Sequence, residues 1–422
     1  MNANSRTAVA ALILTFAAAA TAADFPQWRG PKRDGVSPEK SLLKQWPEGG
    51  PKLLWQAKGA GGGYSTPAVA GERLYLMGNR GMDEEFVQAR SVADGKEAWT
   101  VRVGKVGNPD QRPPYPGSRS TPTVDGDAVY ALGSDGDLVC LEAASGKERW
   151  RKSLRKDFGG QPGTWAYSES PLVDGDVVVV TPGGAEATLV ALNKKNGEVV
   201  WKSAVPGGDK AAYASIIVVE TGGVKQYVQF VEKGLVGVDA KTGKFLWRYD
   251  KTAQGSPANM PTPVAKDGFV YSATNRGGGG LVKLTTAGDA VKAEEVYFDK
   301  KLPTAIGGAV LVGDHLYGVA GNALMCAEFA TGKEKWSERG IGAGSVLFAD
   351  GHLYVHGENG DVALVEATPE GYREKGRFTP PDQPNRGQSK AWAYPVVANG
   401  KLYLRDLDSV WCYDVRDPNA VN

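Results

Sequence analysis

The chain has 422 residues, 41% hydrophobic and 23% charged, with a formal net charge of +1. This is globular composition. With no basic run and no acidic tail, it carries no electrostatic footprint for nucleic acid or for strong attachment to an anionic membrane surface. The 56 glycines and 25 prolines suit many short strands joined by turns.

The first segment reads as a signal peptide over residues 1–23. Arg6 gives a positive start, Ala8 to Ala20 is an apolar run, and Ala20-Thr21-Ala22-Ala23 offers small residues for cleavage. The run is short for a membrane span, and no cysteine lies beside it for lipidation. A periplasmic or secreted protein with no transmembrane anchor after cleavage is expected. Residues 24–50 are rich in Pro and Gly and read as an extended lead-in, with Trp28 packed outside the fold. Residues 51–416 carry the repeats, and 417–422 are a tail.

The repeats are organised around Ser145-Gly146-Lys147-Glu148-Arg149-Trp150. Related copies end at Trp99, Trp201, Trp247 and Trp336. A polar residue, a glycine and a tryptophan four residues after the glycine predict a tight turn entering a strand, with the ring buried between neighbouring sheets. Each copy is preceded by an entry such as Ser65-Thr66-Pro67-Ala68-Val69 or Ser120-Thr121-Pro122-Thr123-Val124, then an Asp-Gly or Asn-Gly turn and a second strand. The unit is therefore four strands, A to D, with the aromatic on D. The aromatics are Trp55, Trp99, Trp150, Trp201, Trp247, Tyr297, Trp336 and Phe378, of which Tyr297 and Phe378 lack the Gly-Lys turn. Four-stranded units at this period predict a β-propeller. The last repeat is one strand short, and Leu53 to Gln56 can supply it. The expected fold is thus an all-β, eight-bladed propeller closed by an N-terminal strand that completes the last blade.

Cys140, Cys326 and Cys412 share one strand-C slot with Ala89, Ala191 and Gly237. They read as small buried hydrophobes, not as disulfides or metal ligands. His315 and His352 fall in A–B turns and are expected to be solvated, and His356 ends a strand B. No catalytic cluster and no metal site follow from these residues.

The loops from strand D to the next strand A open on one face of a propeller, together with the B–C turns. They carry the candidate ligand or partner surface: Tyr64, Arg112, Arg119, Trp165, Tyr167, Tyr213, Asn259, Asn275, Arg276, Glu358, Arg386 and Trp392. Trp55, Trp99, Trp150, Trp201, Trp247 and Trp336 are assigned the structural docking role.

The unit in Leu141-Glu142-Ala143-Ala144-Ser145-Gly146-Lys147-Glu148-Arg149-Trp150 resembles the tryptophan-docking repeat of quinoprotein (PQQ-repeat) propellers, and Phe25-Pro26-Gln27-Trp28-Arg29-Gly30 resembles the lead-in of secreted bacterial PQQ-like propellers. The resemblance covers residues 50 to 415. It implies one of two functions. The first is a non-catalytic extracytoplasmic scaffold, monomeric and cofactor-free, that engages a protein, peptide or glycan through the channel face. The second is an alcohol or sugar dehydrogenase using PQQ and calcium. The second needs carboxylates and amides to converge at the channel, for which Asp110, Glu169, Asn259, Asn275 and Glu358 are the candidates. Adjacent cysteines and long insertions of the dehydrogenases are missing, as is the lipidated cysteine of the assembly-machine subunit.

Overall fold

A computed structural model describes residues 23–420 except Pro257, Asp289, Thr304 and Ala305. The signal-peptide assignment therefore falls almost entirely outside the described residues. The chain forms an eight-bladed β-propeller of eight sheets, each of four antiparallel strands apart from one added edge. Blades 1 to 7 run in sequence, with strands A beginning at Ala68, Thr123, Leu172, Ile217, Val264, Ala309 and Gly344. Blade 8 takes Val396–Ala398, Lys401–Asp406 and Ser409–Asp414 from the end of the chain and Lys52–Ala57 from near its start. Leu53 pairs with Tyr413 and Trp55 with Cys412, so the ring is closed by hydrogen bonds between distant segments, which removes an open edge.

The turn chemistry is local. Asn399 and Gly400 both have positive φ, 56° and 67°, as a two-residue type I′ hairpin requires. Outer strands meet the next blade through aromatic rings. The indole N–H of Trp99 donates to Ala143 O at 3.1 Å, that of Trp150 to Lys194 O at 3.0 Å, and that of Trp201 to Ala240 O at 3.2 Å. Trp55 bonds Val92 O and Trp336 bonds Thr368 O in the same way. The ring also covers the turn glycine of that next blade. A Cβ added at Gly146 would stand 2.9 Å from Trp99, and Gly146 has φ 74°. Trp247 differs: its N–H turns to Gln226 Oε1 of its own blade at 2.5 Å, because blade 5 replaces the short turn with the long hairpin Gly278–Asp299.

Cys140, Cys326 and Cys412 are buried and free, and each sits opposite the blade's tryptophan, as do Ala89, Ala191 and Gly237. Tyr297 occupies the tryptophan register opposite Leu281, and its hydroxyl reaches Phe329 O at 2.9 Å. Phe378 does not hold that register. Gly376 lies opposite Leu364, and Phe378 falls two residues farther along, opposite Val362. The reason is Trp46: its backbone N–H bonds Lys375 O at 2.9 Å, its Cβ would lie 2.6 Å from a Cβ on Gly376, and its ring packs 5.2 Å from Phe378. The lead-in thus brings its own tryptophan to blade 7. It also covers His352, which is buried rather than solvated. Leu42 N–H bonds Asp350 Oδ2 over the same turn, and burial lowers the His352 pKa.

The lead-in departs furthest from expectation. Residues 25–37 lie along the axis and bond to every blade. Phe25 exchanges two hydrogen bonds with Val69 of blade 1, and Pro26 O accepts from Val124 of blade 2. The Arg33 guanidinium donates to Ser170 O and Pro171 O of blade 3 and to Ile216 O of blade 4. Trp28 Nε1 bonds Thr262 Oγ1 of blade 5, and Arg29 bonds Ala309 O of blade 6. Gly35 O accepts from Phe348 of blade 7, beside the two-residue parallel pairing of Val36–Ser37, and Ser37 Oγ reaches Val397 O of blade 8 at 2.7 Å. Trp28 is therefore inside the ring, not on its outer wall.

Candidate functional site

Strand-A entries are laced to one another around the axis. Tyr394 N–H bonds Thr66 Oγ1, Thr121 N–H bonds Ser170 Oγ, and Ser170 N–H bonds Ser215 Oγ, each at 2.9 Å. These short polar residues settle the backbone donors that an irregular entry would leave orphaned. They also fix which side chains point up the channel. Above them opens a cavity of about 320 Å³, at the lower end of small-molecule sites.

Five of the candidate residues line this cavity: Tyr64, Arg119, Trp165, Tyr213 and Trp392. Tyr64 and Trp392 meet with ring centroids 5.0 Å apart, and Trp165 and Tyr213 at 5.8 Å. Tyr115 packs edge-on against Trp392 at 4.8 Å. Trp28 enters from the axial segment, edge-on to Tyr394 at 4.7 Å. Trp28, Tyr394, Ser215 and Ile306 escaped the sequence reading. Tyr394 and Ser215 could have been found, since they stand two residues beyond the mouth positions Trp392 and Tyr213, and alternate residues of an extended entry share a side. No local pattern marks Trp28.

The other candidates lie elsewhere. Tyr167 is buried in the blade 2–3 core, its hydroxyl bonded to Pro182 O at 2.8 Å. Asn259 is buried and holds Val231 O and Glu232 O. Asn275 and Arg276 are exposed in a turn, and Arg112 is exposed and bonds only carbonyls of its own loop. Arg386 pairs with the buried Asp406. Glu358 stands behind the wall, accepting the Trp392 indole N–H at 2.9 Å.

The electrostatics centre on Arg119. Its guanidinium lies 5.6 Å from the Tyr64 ring centroid and donates to Trp165 O, Gly117 O, Tyr115 O and Gln111 Oε1, all neutral acceptors. Burial lowers its pKa. The acid it senses is Glu85, fully buried, whose Oε2 accepts from Ser134 N–H and Oγ. Burial pushes the Glu85 carboxyl up to about 7 against those hydrogen bonds and the Arg119 charge. Glu169 is buried between Thr181 and Gln229 and is likewise pushed up to about 7 by desolvation.

The donors that calcium and PQQ would need do not converge. Asp110 is exposed on its loop, Glu169 is committed to Thr181 and Gln229, Asn259 to backbone carbonyls, and Glu358 to Trp392. Among the described residues no group of three or more His, Cys, Asp or Glu could hold a metal ion. One arginine faces a cofactor that carries three carboxylates. The residues present do not fit the pair.

Fold and site together define a closed propeller of PQQ-like repeats, with an aromatic cavity at one mouth and a filled axis. The family described as outer membrane protein assembly factor BamB matches residues 83–338, and the chain belongs to that family. The chain is 25% identical to the outer membrane protein assembly factor BamB of Burkholderia pseudomallei over 285 residues, 66% of this chain and 68% of that one. It is 27% identical to quinohemoprotein alcohol dehydrogenase ADH IIB of Pseudomonas putida over 154 residues, 34% of this chain and 21% of that one. The crystal structure of BamB from Moraxella catarrhalis superposes with a TM-score of 0.59 at 14% identity, covering 87% of this chain and 99% of that one, which is likeness of fold. Among the described residues no helix is long and apolar enough to cross a membrane.

Proposed function

We propose that this chain is a non-catalytic scaffold of the periplasm or the secreted compartment, acting as a monomer and holding a polypeptide partner on the face where the D–A loops open. The observation that carries this reading is the make-up of the cavity. Its walls are mostly aromatic rings, and among the described residues its one charge is Arg119 and no carboxylate or histidine lines it. General acid–base chemistry needs a titratable group within hydrogen-bond reach of the reacting atom, whereas buried aromatics beside an arginine are what binding hot spots are made of. The assembly factor of Burkholderia pseudomallei is matched over 66% of this chain, against 34% for the alcohol dehydrogenase ADH IIB. A polypeptide suits the walls better than a glycan, because few hydrogen-bonding groups are left free for sugar hydroxyls. In this reading Trp55, Trp99, Trp150, Trp201, Trp247 and Trp336 are inter-blade docking residues with no contact to the partner.

The test is calorimetric titration of the full chain with pyrroloquinoline quinone in calcium-containing buffer, followed by a dye-reduction screen of alcohols and sugars. The expected result is no saturable heat and no reduction. Saturable binding at micromolar affinity with dye reduction would replace the scaffold by a dehydrogenase.

A further inference from the structure

Five of the cavity's seven aromatic residues already donate their polar hydrogen within the protein, and the Tyr213 hydroxyl accepts from Trp165 N–H. Trp28 Nε1 bonds Thr262, Trp165 Nε1 bonds Pro113 O, and Trp392 Nε1 bonds Glu358. The hydroxyls of Tyr64 and Tyr394 bond Ser389 and Ile306 O. A guest therefore meets the faces and edges of rings, which attract another ring at offset or edge-on geometry. Arg119 adds a charge. Its four terminal N–H groups are all held by neutral acceptors, so what it offers a guest is that charge and its Nε–H. Ser168 also lines the cavity, and its buried hydroxyl has no hydrogen-bond partner among the described residues.

We infer that the cavity receives one aromatic side chain of a partner polypeptide, with a carboxylate of the same segment drawn to Arg119. This rests on the scaffold reading above. The size is right for one such group, since about 320 Å³ is too little for a folded element and ample for one ring. The charge is right as well. A carboxylate gains the attraction of a guanidinium whose terminal N–H groups all go to neutral acceptors and which otherwise senses the buried Glu85, with the Nε–H as its donor. A lysine or arginine in the guest would stack on the rings but meet the Arg119 charge at close range, so the site selects against basic segments. Trp28 makes the axial segment part of the site, so the filled axis is what gives the cavity its depth.

The experiment is selection of random dodecapeptides displayed on phage against the immobilised full chain, followed by titration of synthetic copies. Enriched peptides are expected to carry a Trp, Tyr or Phe with Asp or Glu within two positions. Changing that aromatic to Ala, or the acid to Lys, is expected to weaken binding to the unaltered chain by about tenfold or more. Those changes are made in the peptide, so they do not depend on any variant folding. Arg119→Gln is expected to abolish the preference for the acid while keeping that for the ring. Enriched peptides without an aromatic, or bound equally well by Trp392→Ala, overturn the cavity as the seat and leave the polypeptide-binding scaffold standing. Failure to enrich any peptide overturns both.

Discussion

Around the outer wall, neighbouring blades meet through one device repeated with small changes: an indole N–H on the carbonyl of the next turn and a ring over that turn's glycine, as at Trp99, Trp150 and Trp201. Along the axis nothing repeats. Phe25, Trp28, Arg29, Arg33 and Ser37 each find a different blade by a different bond. The wall spreads its stability over near-equal seams, as in a linear repeat array where each unit touches only its neighbours. The axis concentrates contacts to all eight blades in one short segment, so a single lesion there is felt around the ring. The largest expected effect follows. Deleting residues 24–37 removes a partner from every blade and empties the channel, and no cooperative urea transition should remain. Arg33→Met, which orphans three buried carbonyls at about 1–3 kcal/mol each, should cost about 3–5 kcal/mol after the relief of guanidinium burial. A normal midpoint for Arg33→Met would show that the axial segment is a passenger.

A seam of the wall should break more gently than the axis as a whole. Trp150→Ala removes a buried ring, its contact with Tyr130 and its bond to Lys194 O, and is expected to lower stability by about 3–5 kcal/mol in urea denaturation while leaving a single cooperative transition. Loss of that transition would mean the blades do not share load.

This division also explains what the sequence made legible. A turn glycine, a tryptophan and alternating strands recur at fixed offsets, so blade number and the shared cysteine slot could be read from residues close together in the chain, and closure from the strand that the last repeat lacks. The axial segment could not. It has no period, and its bonds span most of the chain, as from Ser37 to Val397. The site divides in the same way. Tyr64, Arg119 and Trp392 were legible because the repeat frame puts them at strand-A mouths. Tyr167 and Asn259 are one residue before mouth positions, and in extended chain that one step turns a side chain to the opposite side. Both are consequently packed between blades.

The buried acids offer a comparison by pH. Glu85 lies between blades 1 and 2 beside Arg119, and Glu169 lies near Arg33 of the axial segment. Both carboxyls are raised to about 7 in the folded chain from the ordinary glutamate value of 4.5, burial being the largest cause. The folded state holds the proton where the unfolded chain has released it, so this contribution is fully present below about 4.5 and is lost as pH rises through about 7. Stability from these two groups should fall between pH 5 and 7.5, and Glu85→Gln or Glu169→Gln should flatten that slope, read as urea midpoints across the range. A slope that both variants leave unchanged would mean that the carboxyls are ionised throughout.

The smallest effect separates the repeated tryptophans from the borrowed one. Trp150 uses its indole N–H, at 3.0 Å from Lys194 O, whereas the buried Trp46 indole N–H has no partner among the described residues and the ring packs on Phe378 and Tyr354. Trp150→Phe gives up a hydrogen bond and leaves a buried carbonyl short, at about 1–2 kcal/mol. Trp46→Phe gives up ring area but also removes an unsatisfied buried donor, so the two terms oppose and the net cost should be under about 1 kcal/mol. Chemical denaturation of the two variants side by side reads the difference. Equal losses would show that ring volume alone holds the seams. A larger loss at Trp150 would show that the hydrogen bond to the next turn is what the repeated position adds.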